Sequence, residues 1–297
     1  MNTRGSFAYD FDTEDFKSIP HDVGHFNLSA HNNTSQCSDL AEGYQCMILV
    51  AQPRNGDDVT IWKCLVSASL AMKNESEQKE VIFAQANDML STKSSGFHIH
   101  WPKTSQERAA EKAGKGATGS VLIEIYKASV AQLSHAVNSL VKNDQDVARF
   151  NVGGKELFLS KHVLRFHSAY FDGLFHKKHP AEEPYVIAST KLSEFLHFLM
   201  LLHGWDIDLS LNSVEYLLQL ADTFRCSTVL KLCSDFLRSD RTIPLMQKVR
   251  LADTYKLHRV VVEAIQNSTA EEWKWASKKT ELSVTTKDLI DQKLSLC

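Results

Sequence analysis

Residues 150–159 read Phe-Asn-Val-Gly-Gly-Lys-Glu-Leu-Phe-Leu and decide the fold of the second half of the chain. On both sides of Gly153-Gly154, apolar residues alternate with polar ones, as in two half-buried strands. Two adjacent glycines supply the positive φ angles that a two-residue hairpin turn requires. The stretch therefore predicts a compact β-hairpin.

Beyond this hairpin the apolar periodicity becomes that of helices. The clearest helix has apolar residues at intervals of three or four: Val214, Leu217, Leu218, Ala221 and Phe224. Asn212, with Glu215 three residues later, resembles a capping box at its start. Residues 195–202 are apolar on more than one helical face, which is typical of a helix buried on all sides.

A repeat occurs within the helical part of the chain. Residues 220–225 return as 251–256, and each copy is followed by a second apolar-periodic segment, at 229–237 and at 260–265. This pattern predicts two successive helical hairpins stacked on each other. The alternative is one helical subdomain in which the similarity arose by chance.

The first half of the chain has the pattern of strands. Phe26, Leu28 and Ala30 alternate with polar residues, and residues 44–51 form an apolar run that ends in a turn cluster at 53–58. We expect that run to form a hairpin with the apolar stretch at 60–72. Further short runs follow at 81–86, 96–101 and 121–126, a spacing that favours an antiparallel β-sandwich.

Two segments of this half do not have the strand pattern. Residues 104–119 are rich in small and charged residues, so we expect a solvated loop or a short exposed helix. In residues 128–141 apolar side chains recur at helical intervals, which predicts a helix leading out of the sandwich. We therefore expect the boundary between the two halves at residues 141–145.

Composition excludes several classes of partner and site. The chain of 297 residues has 33 Lys and Arg against 36 Asp and Glu, so it has no excess of positive charge for nucleic acid or an anionic membrane. The six cysteines show no CxxC pair, which is typical of a reducing compartment. No apolar run approaches about 18 residues and no secretory leader is evident, so we expect the cytoplasm, the nucleus or both.

Candidate metal and catalytic residues are few. His98 and His100 would lie on one face of a strand, and His176 and His179 bracket two lysines, but neither pair has two further ligands at a usable spacing. No local signature pairs a cysteine with a histidine as a nucleophile. We therefore predict no metal site, no cofactor and no catalytic residue.

Residues 146–237 resemble the BTB (POZ) family in the order and spacing of their motifs. The quoted positions are Asp146-Val147, Phe150, Val152, Gly154-Lys155, Leu164, Ser168-Ala169-Tyr170-Phe171, Leu174-Phe175, Glu182-Glu183 and the segments 195–202 and 217–222. Ser160-Lys161 and His203 depart from the residues that many members have. The string 151–154 also looks like the ring-forming tetramerisation domains of potassium channels, whereas residues 170–183 look more like the dimeric adaptors.

This resemblance implies two protein-binding surfaces. The implied homodimer interface consists of Asp146, Val147, Phe150, Val152, Leu164 and Phe171. The implied cullin-binding residues are Phe175, Ala181, Glu183 and His203, with the helical hairpin at 242–266. Related adaptors place a hydrophobic residue two positions before a Glu in this loop, where this chain has only Ala181.

Residues 20–130 look like a MATH domain, the TRAF-type β-sandwich, with residues 62–74 as the central strand and Gly96-Phe97 in a late strand. The resemblance implies that Phe97 is a substrate-binding aromatic of a shallow groove, and a core position is the alternative. Ser95 stands where a related adaptor has Trp, so the peptide specificity of that adaptor does not carry over.

The predicted fold class is α+β: a MATH-like antiparallel β-sandwich, then a BTB/POZ α/β domain, then a helical hairpin like the 3-box or BACK segments. The predicted boundaries are a disordered segment at 1–19, the sandwich at 20–130, a linker helix at 131–143, the BTB/POZ domain at 144–240 and the helical extension at 241–297.

The resemblance implies a homodimeric, non-catalytic adaptor that brings an unidentified substrate protein to cullin-3. The alternative is a scaffold or transcriptional regulator that dimerises through BTB without binding a cullin.

Overall fold

Two four-stranded antiparallel sheets build the first of two compact units, Met1–Ser139. The structure, a computed structural model, describes residues 3–11, 21–32, 43–141, 143–177, 184–205, 209–276 and 282–295. One sheet contains β1 (Thr3–Ala8), β5 (Thr60–Asn74), β6 (Lys79–Ser91) and β8 (Thr118–Gln132), in the order β1-β8-β5-β6. The other contains β2 (His21–Val23), β3 (Phe26–Asn32), β4 (Tyr44–Pro53) and β7 (Gly96–Pro102), in the order β2-β3-β4-β7.

The core of this sandwich comes from alternate positions of the strands. In β7, Phe97, Ile99 and Trp101 are buried, whereas His98 and His100 between them are exposed. The same alternation in β3 and β5 buries residues such as Leu28 and Val66. The predicted β-sandwich is therefore confirmed.

Four details of the first unit differ from the sequence-based expectation. β4 and β5 do not form a hairpin, because the turn between them carries the chain from one sheet to the other. Residues 3–8 of the segment predicted to be disordered form β1, which pairs with β8. Residues 131–141, which the structure describes, do not form the predicted linker helix, since β8 extends to Gln132 and turns follow it. Within residues 104–119, a helix α1 (Lys103–Ala113) buries Gln106, Ala109 and Ala113.

The second unit, Leu140–Cys297, begins with a three-stranded sheet. A 3₁₀ turn (Asp144–Asp146) leads into β9 (Val147–Val152), which pairs antiparallel with β10 (Lys155–Ser160) and parallel with β11 (Tyr185–Ile187). Gly153 and Gly154 connect β9 to β10 with φ angles of 58° and 80°. These angles confirm the predicted hairpin.

Helices make up the rest of the second unit. They are α2 (Lys161–His167), α3 (Ala169–Lys177), α4 (Leu192–Leu202), α5 (Leu211–Thr223), α6 (Ser227–Ser239), α7 (Leu245–Thr254), α8 (His258–Asn267), α9 (Ala270–Ala276) and α10 (Val284–Ser295). Every residue of α4 from Phe195 onward is buried, as its apolar pattern predicts. The cap of α5 was predicted two residues late: Ser210 and Ser213 form its capping box.

The repeat appears as two hairpins with the same turn, α5–α6 and α7–α8. Arg225 and Lys256 occupy equivalent positions, and both have positive φ angles, 47° and 56°. The amide after each closes its turn at the same length: Cys226 donates to the Ala221 carbonyl and Leu257 to the Ala252 carbonyl, both at 2.7 Å. The two predicted helical hairpins are thus confirmed.

Where the chain is described, no helix is both long and apolar enough to span a bilayer.

Candidate protein-interaction site

An aromatic cluster holds the sheet of the second unit against its helices. The ring of Phe171 on α3 meets Phe150 of β9 edge-on at 5.7 Å and stacks on Phe224, after α5, at 5.0 Å. Ser168 begins α3: its hydroxyl accepts a hydrogen bond from the Phe171 amide and donates one to the Phe224 carbonyl. This serine joins the start of α3 to the turn between α5 and α6.

Most of the residues predicted at the dimer interface belong to this core. Phe150, Val152 and Phe171 are fully buried and Leu164 is 1% exposed. Such side chains have no surface to offer a second copy of the chain, so their prediction as interface residues was wrong. An apolar pattern marks residues that avoid water, but it does not separate those packed within one chain from those packed between two.

Asp146 has a structural role beside them. Its carboxylate accepts hydrogen bonds from the Ser160 hydroxyl at 2.5 Å and from the His162 amide at 2.7 Å. These bonds tie the 3₁₀ turn to the first residues of α2. Val147, the first residue of β9, is half-buried and pairs with Ser160.

Two exposed aromatic side chains on consecutive helices were not among the predicted site residues. Phe166 on α2 is 77% exposed and Tyr170 on α3 is 41% exposed. Leu164 is buried, and a side chain two positions further along a helix points to nearly the opposite side, so Phe166 faces solvent. Helical spacing from Leu164 is the signal that could have identified it.

The four predicted cullin-binding residues are only partly described. Ala181 and Glu183 lie outside the described residues. Phe175 is half-buried, with its ring 5.5 Å from that of Tyr185 and 6.2 Å from that of Phe150. Its inner edge therefore packs on the aromatic cluster.

His203 ends α4, where its amide donates to the Leu199 carbonyl at 3.0 Å. Burial and, to a smaller extent, the nearby His167 together lower the pKa of its imidazole to about 4. His203 is accordingly a neutral side chain at neutral pH. Only part of its surface is open to a partner.

The comparison with known proteins identifies the domain that carries these features. Residues 138–241 match the family model described as BTB/POZ domain. This part of the chain is a BTB/POZ domain. A curated relative, "BTB and MATH domain-containing protein 36" of Caenorhabditis elegans, is 28% identical over 109 residues, which cover 36% of this chain and 34% of the relative. The match therefore spans about a third of the relative's length.

The second helical hairpin, α7–α8, follows the BTB/POZ domain and is joined to it by a two-point ion pair. Arg238 of α6 donates from Nε to Oε2 of Glu263 at 2.6 Å and from Nη2 to Oε1 at 3.0 Å. Arg259 also donates to Glu263, at 2.9 Å. Hydrogen bonds from Arg238 and Arg259 lower the pKa of Glu263. The first contact crosses from one hairpin to the other, which fixes α8 beside α6.

Phe97, the predicted substrate-binding residue in the unit before the BTB/POZ domain, lies in the sandwich core. It is 5% exposed and points inward from β7 with Ile99 and Trp101. The prediction that it lines a groove was wrong, because residue 97 falls on the inner side of the strand alternation. The outer side of the same strand presents His98 and His100.

Proposed function

We propose that the chain is a non-catalytic adaptor that dimerises through its BTB/POZ domain and brings a substrate protein to a cullin-3 ubiquitin ligase in the cytoplasm or nucleus. The observation that carries this proposal is the BTB/POZ domain continued by a second helical hairpin, which Arg238 and Glu263 hold in place. A β-sandwich precedes it in the chain, and the printed name of the nematode relative joins the terms BTB and MATH. A target-binding domain linked to an assembly domain is the arrangement that recruitment requires.

The cullin-facing surface in this proposal consists of the exposed parts of Phe175 and His203, the residues Ala181 and Glu183, and the hairpin α7–α8. Ala181 is a small contact residue compared with Leu or Met. Each methylene that it lacks removes about 0.8 kcal/mol of burial, so we expect an affinity one to two orders of magnitude lower, roughly, than a larger side chain would give. Contacts from α7–α8 would offset part of this loss.

The substrate would bind the sandwich at exposed side chains. Because Phe97 lies in the core, the recruiting surface has to use residues that point out of the two sheets. The sandwich alone, immobilised as bait, should then retain a different set of proteins from the BTB/POZ domain alone.

Calorimetry of the intact chain with the N-terminal domain of cullin-3 tests the proposal directly. We expect measurable binding that Glu183→Lys abolishes, because the change reverses a charge at the contact, and that truncation after Asp240 weakens. A thermal melt of each variant must show that the BTB/POZ domain remains folded. No heat with the intact chain at concentrations on the order of tens of micromolar would reject the adaptor and leave a BTB-dimerised scaffold or transcriptional regulator.

A further inference from the structure

Three metal-ligating side chains meet on the outer face of the second sheet of the sandwich. They are Cys46 on β4 and His98 and His100 on β7, and one ligand atom from each lies within 4.8 Å of the other two. In the described part of the chain, no other group of three His, Cys, Asp or Glu side chains comes together in this way. This cluster has no part in the proposed adaptor function.

Strand geometry explains why these residues meet. His98 and His100 are two positions apart in β7, so both imidazoles point away from the core that Phe97 and Ile99 enter. Their rings are parallel to within 6° and 5.9 Å apart. The register places Cys46 opposite His100, and its Sγ lies 3.4 Å from Nδ1 of His98.

These distances suit a four-coordinate zinc ion. With Zn–N and Zn–S bonds of about 2.0–2.3 Å in a tetrahedron, neighbouring ligand atoms lie roughly 3.3–3.6 Å apart. The Sγ–Nδ1 separation of Cys46 and His98 already has this value. Both imidazoles are exposed, so a small rotation of each ring can close the remaining gap without disturbing the core.

We propose that Cys46, His98 and His100 bind Zn²⁺, with water in the fourth position. A thiolate and two imidazoles form a ligand set that favours zinc over magnesium or calcium. On binding, the Cys46 thiol releases its proton to solvent and both imidazoles remain neutral. β7 is an edge strand of its sheet, so the ion cross-links that edge to β4.

The competing explanation needs no ion: Cys46 and His98 share a hydrogen bond and the two imidazoles stack. Cobalt(II) titration of the full-length, chelator-treated protein separates the two. Coordination by Cys46 gives a thiolate-to-cobalt charge-transfer band in the near ultraviolet and the strong visible bands of four-coordinate cobalt, and zinc should remove both. We expect one equivalent of cobalt to saturate them.

Variants locate the ion. Cys46→Ser should abolish the charge-transfer band. His98→Gln and His100→Gln should each lower zinc affinity by at least about tenfold, the smallest loss typical of removing even an outer-shell partner. His162→Gln, an exposed histidine on α2, is the matched control and should bind as the parent does. Because His98 and His100 are exposed, their variants test the site even if Cys46→Ser unfolds.

Alkylation of Cys46, read by peptide mass, gives a second measurement. Cys46 is 2% exposed, so alkylation requires local opening of the sheet edge, and zinc should slow it further in the parent but not in His98→Gln. A parent protein without the charge-transfer band would overturn the proposal. So would a band that persists in Cys46→Ser, or an affinity that neither histidine variant changes.

Discussion

Arg238 of α6 and Glu263 of α8 form a two-point ion pair between the two repeated hairpins, with Nε–Oε2 and Nη2–Oε1 distances of 2.6 and 3.0 Å. The repeat itself does not require this contact. The residue equivalent to Glu263 in the first copy is Leu232, which is 39% exposed on α6. The two copies therefore share a fold, but the glutamate that forms the ion pair occurs only in the second copy.

Removing the Glu263 carboxylate tests whether this ion pair holds the second hairpin, α7–α8, in place. Glu263→Ala should increase amide hydrogen exchange in α7 and α8 more than in α5, because the contact bridges the hairpins. Arg259→Ala is the control, since it removes only a partner of Glu263 within α8 and leaves Arg238 in place. Equal exchange in the two variants would mean that the bridge does not fix the hairpin.

Asp253, in the second copy of the repeat, holds the start of α10 in place. Its carboxylate accepts hydrogen bonds from the amide and hydroxyl of Ser283 and from the Thr286 hydroxyl, each at 2.6 Å, at the start of α10. Burial alone would raise the Asp253 pKa, but these hydrogen bonds outweigh it and lower the pKa. The equivalent residue in the first copy, Asp222, is exposed.

We expect Asp253→Asn to cost about 1.5–3 kcal/mol of stability at neutral pH, the range for hydrogen bonds to a charged group. Because the folded state lowers the pKa, this contribution is present above the unfolded-state pKa and is lost as the pH falls through the folded value. The difference between parent and variant should therefore disappear in acid. Asp222→Asn is the matched control, and a cost equal to that of Asp253→Asn would contradict the role of α10. Urea unfolding across pH measures both.

Elements that depend on residues close together in the sequence were predicted better than elements that depend on contacts between distant residues. The hairpin at Gly153-Gly154 needs only two positive φ angles, and the repeat needs only apolar residues at helical spacing. The linker helix was predicted wrongly because β8 continues past a bulge at Lys127, whose φ is 44°, and pairs with β5 as far as Gln132. The apolar spacing of Val130 and Leu133 therefore spans the end of a strand and the turn after it, and only the distant pairing with β5 decides this.

The candidate sites, too, could be predicted only where residues close together in the sequence determine them. Two positions of spacing place His98 and His100 on one face of a strand, and the sequence indicates as much. Cys46 joins them only through the register of β4 against β7, which no local pattern specifies. In the BTB/POZ domain, burial of Phe150 and exposure of Phe166 likewise depend on how the helices cover the sheet.

His203 should make the BTB/POZ domain sensitive to acid. Its folded-state pKa of about 4 lies below the ordinary value of 6.5, so the unfolded chain binds a proton more readily. The free energy of unfolding is therefore highest, as far as His203 is concerned, above pH 6.5. It falls as the pH drops towards 4, by about 3 kcal/mol in total. His203→Gln should flatten this part of the stability profile, while His162→Gln should not. A parent profile without a decline between these pH values would contradict the burial of His203.

Phe97 should behave as a core residue in thermal unfolding. We expect Phe97→Ala to cost about 3–5 kcal/mol, because it leaves a cavity among packed side chains. Ile82→Ala, at a position of β6 that is 49% exposed, should change stability by less than about 0.5 kcal/mol. An unchanged midpoint for Phe97→Ala with weaker capture of a partner protein would instead restore its assignment to a groove.

The proposed homodimer should depend on Phe166 and Tyr170, the aromatic side chains that α2 and α3 expose. In a twofold interface each residue contributes twice, so burial of Phe166 in both copies would contribute about 3–6 kcal/mol in total. Phe166→Glu removes this burial and places two charges at the contact, so we expect the dissociation constant to rise at least about a hundredfold. Light scattering of the full chain at micromolar concentration should then show a dimer for the parent and a monomer for Phe166→Glu and for Tyr170→Glu.

Val284→Glu, which alters a side chain on α10 that is 74% exposed, is the matched control and should remain dimeric. A monomeric parent would reject self-association, and a tetramer or pentamer would favour the ring-forming branch of the family, in which exposed aromatic residues would serve a different contact.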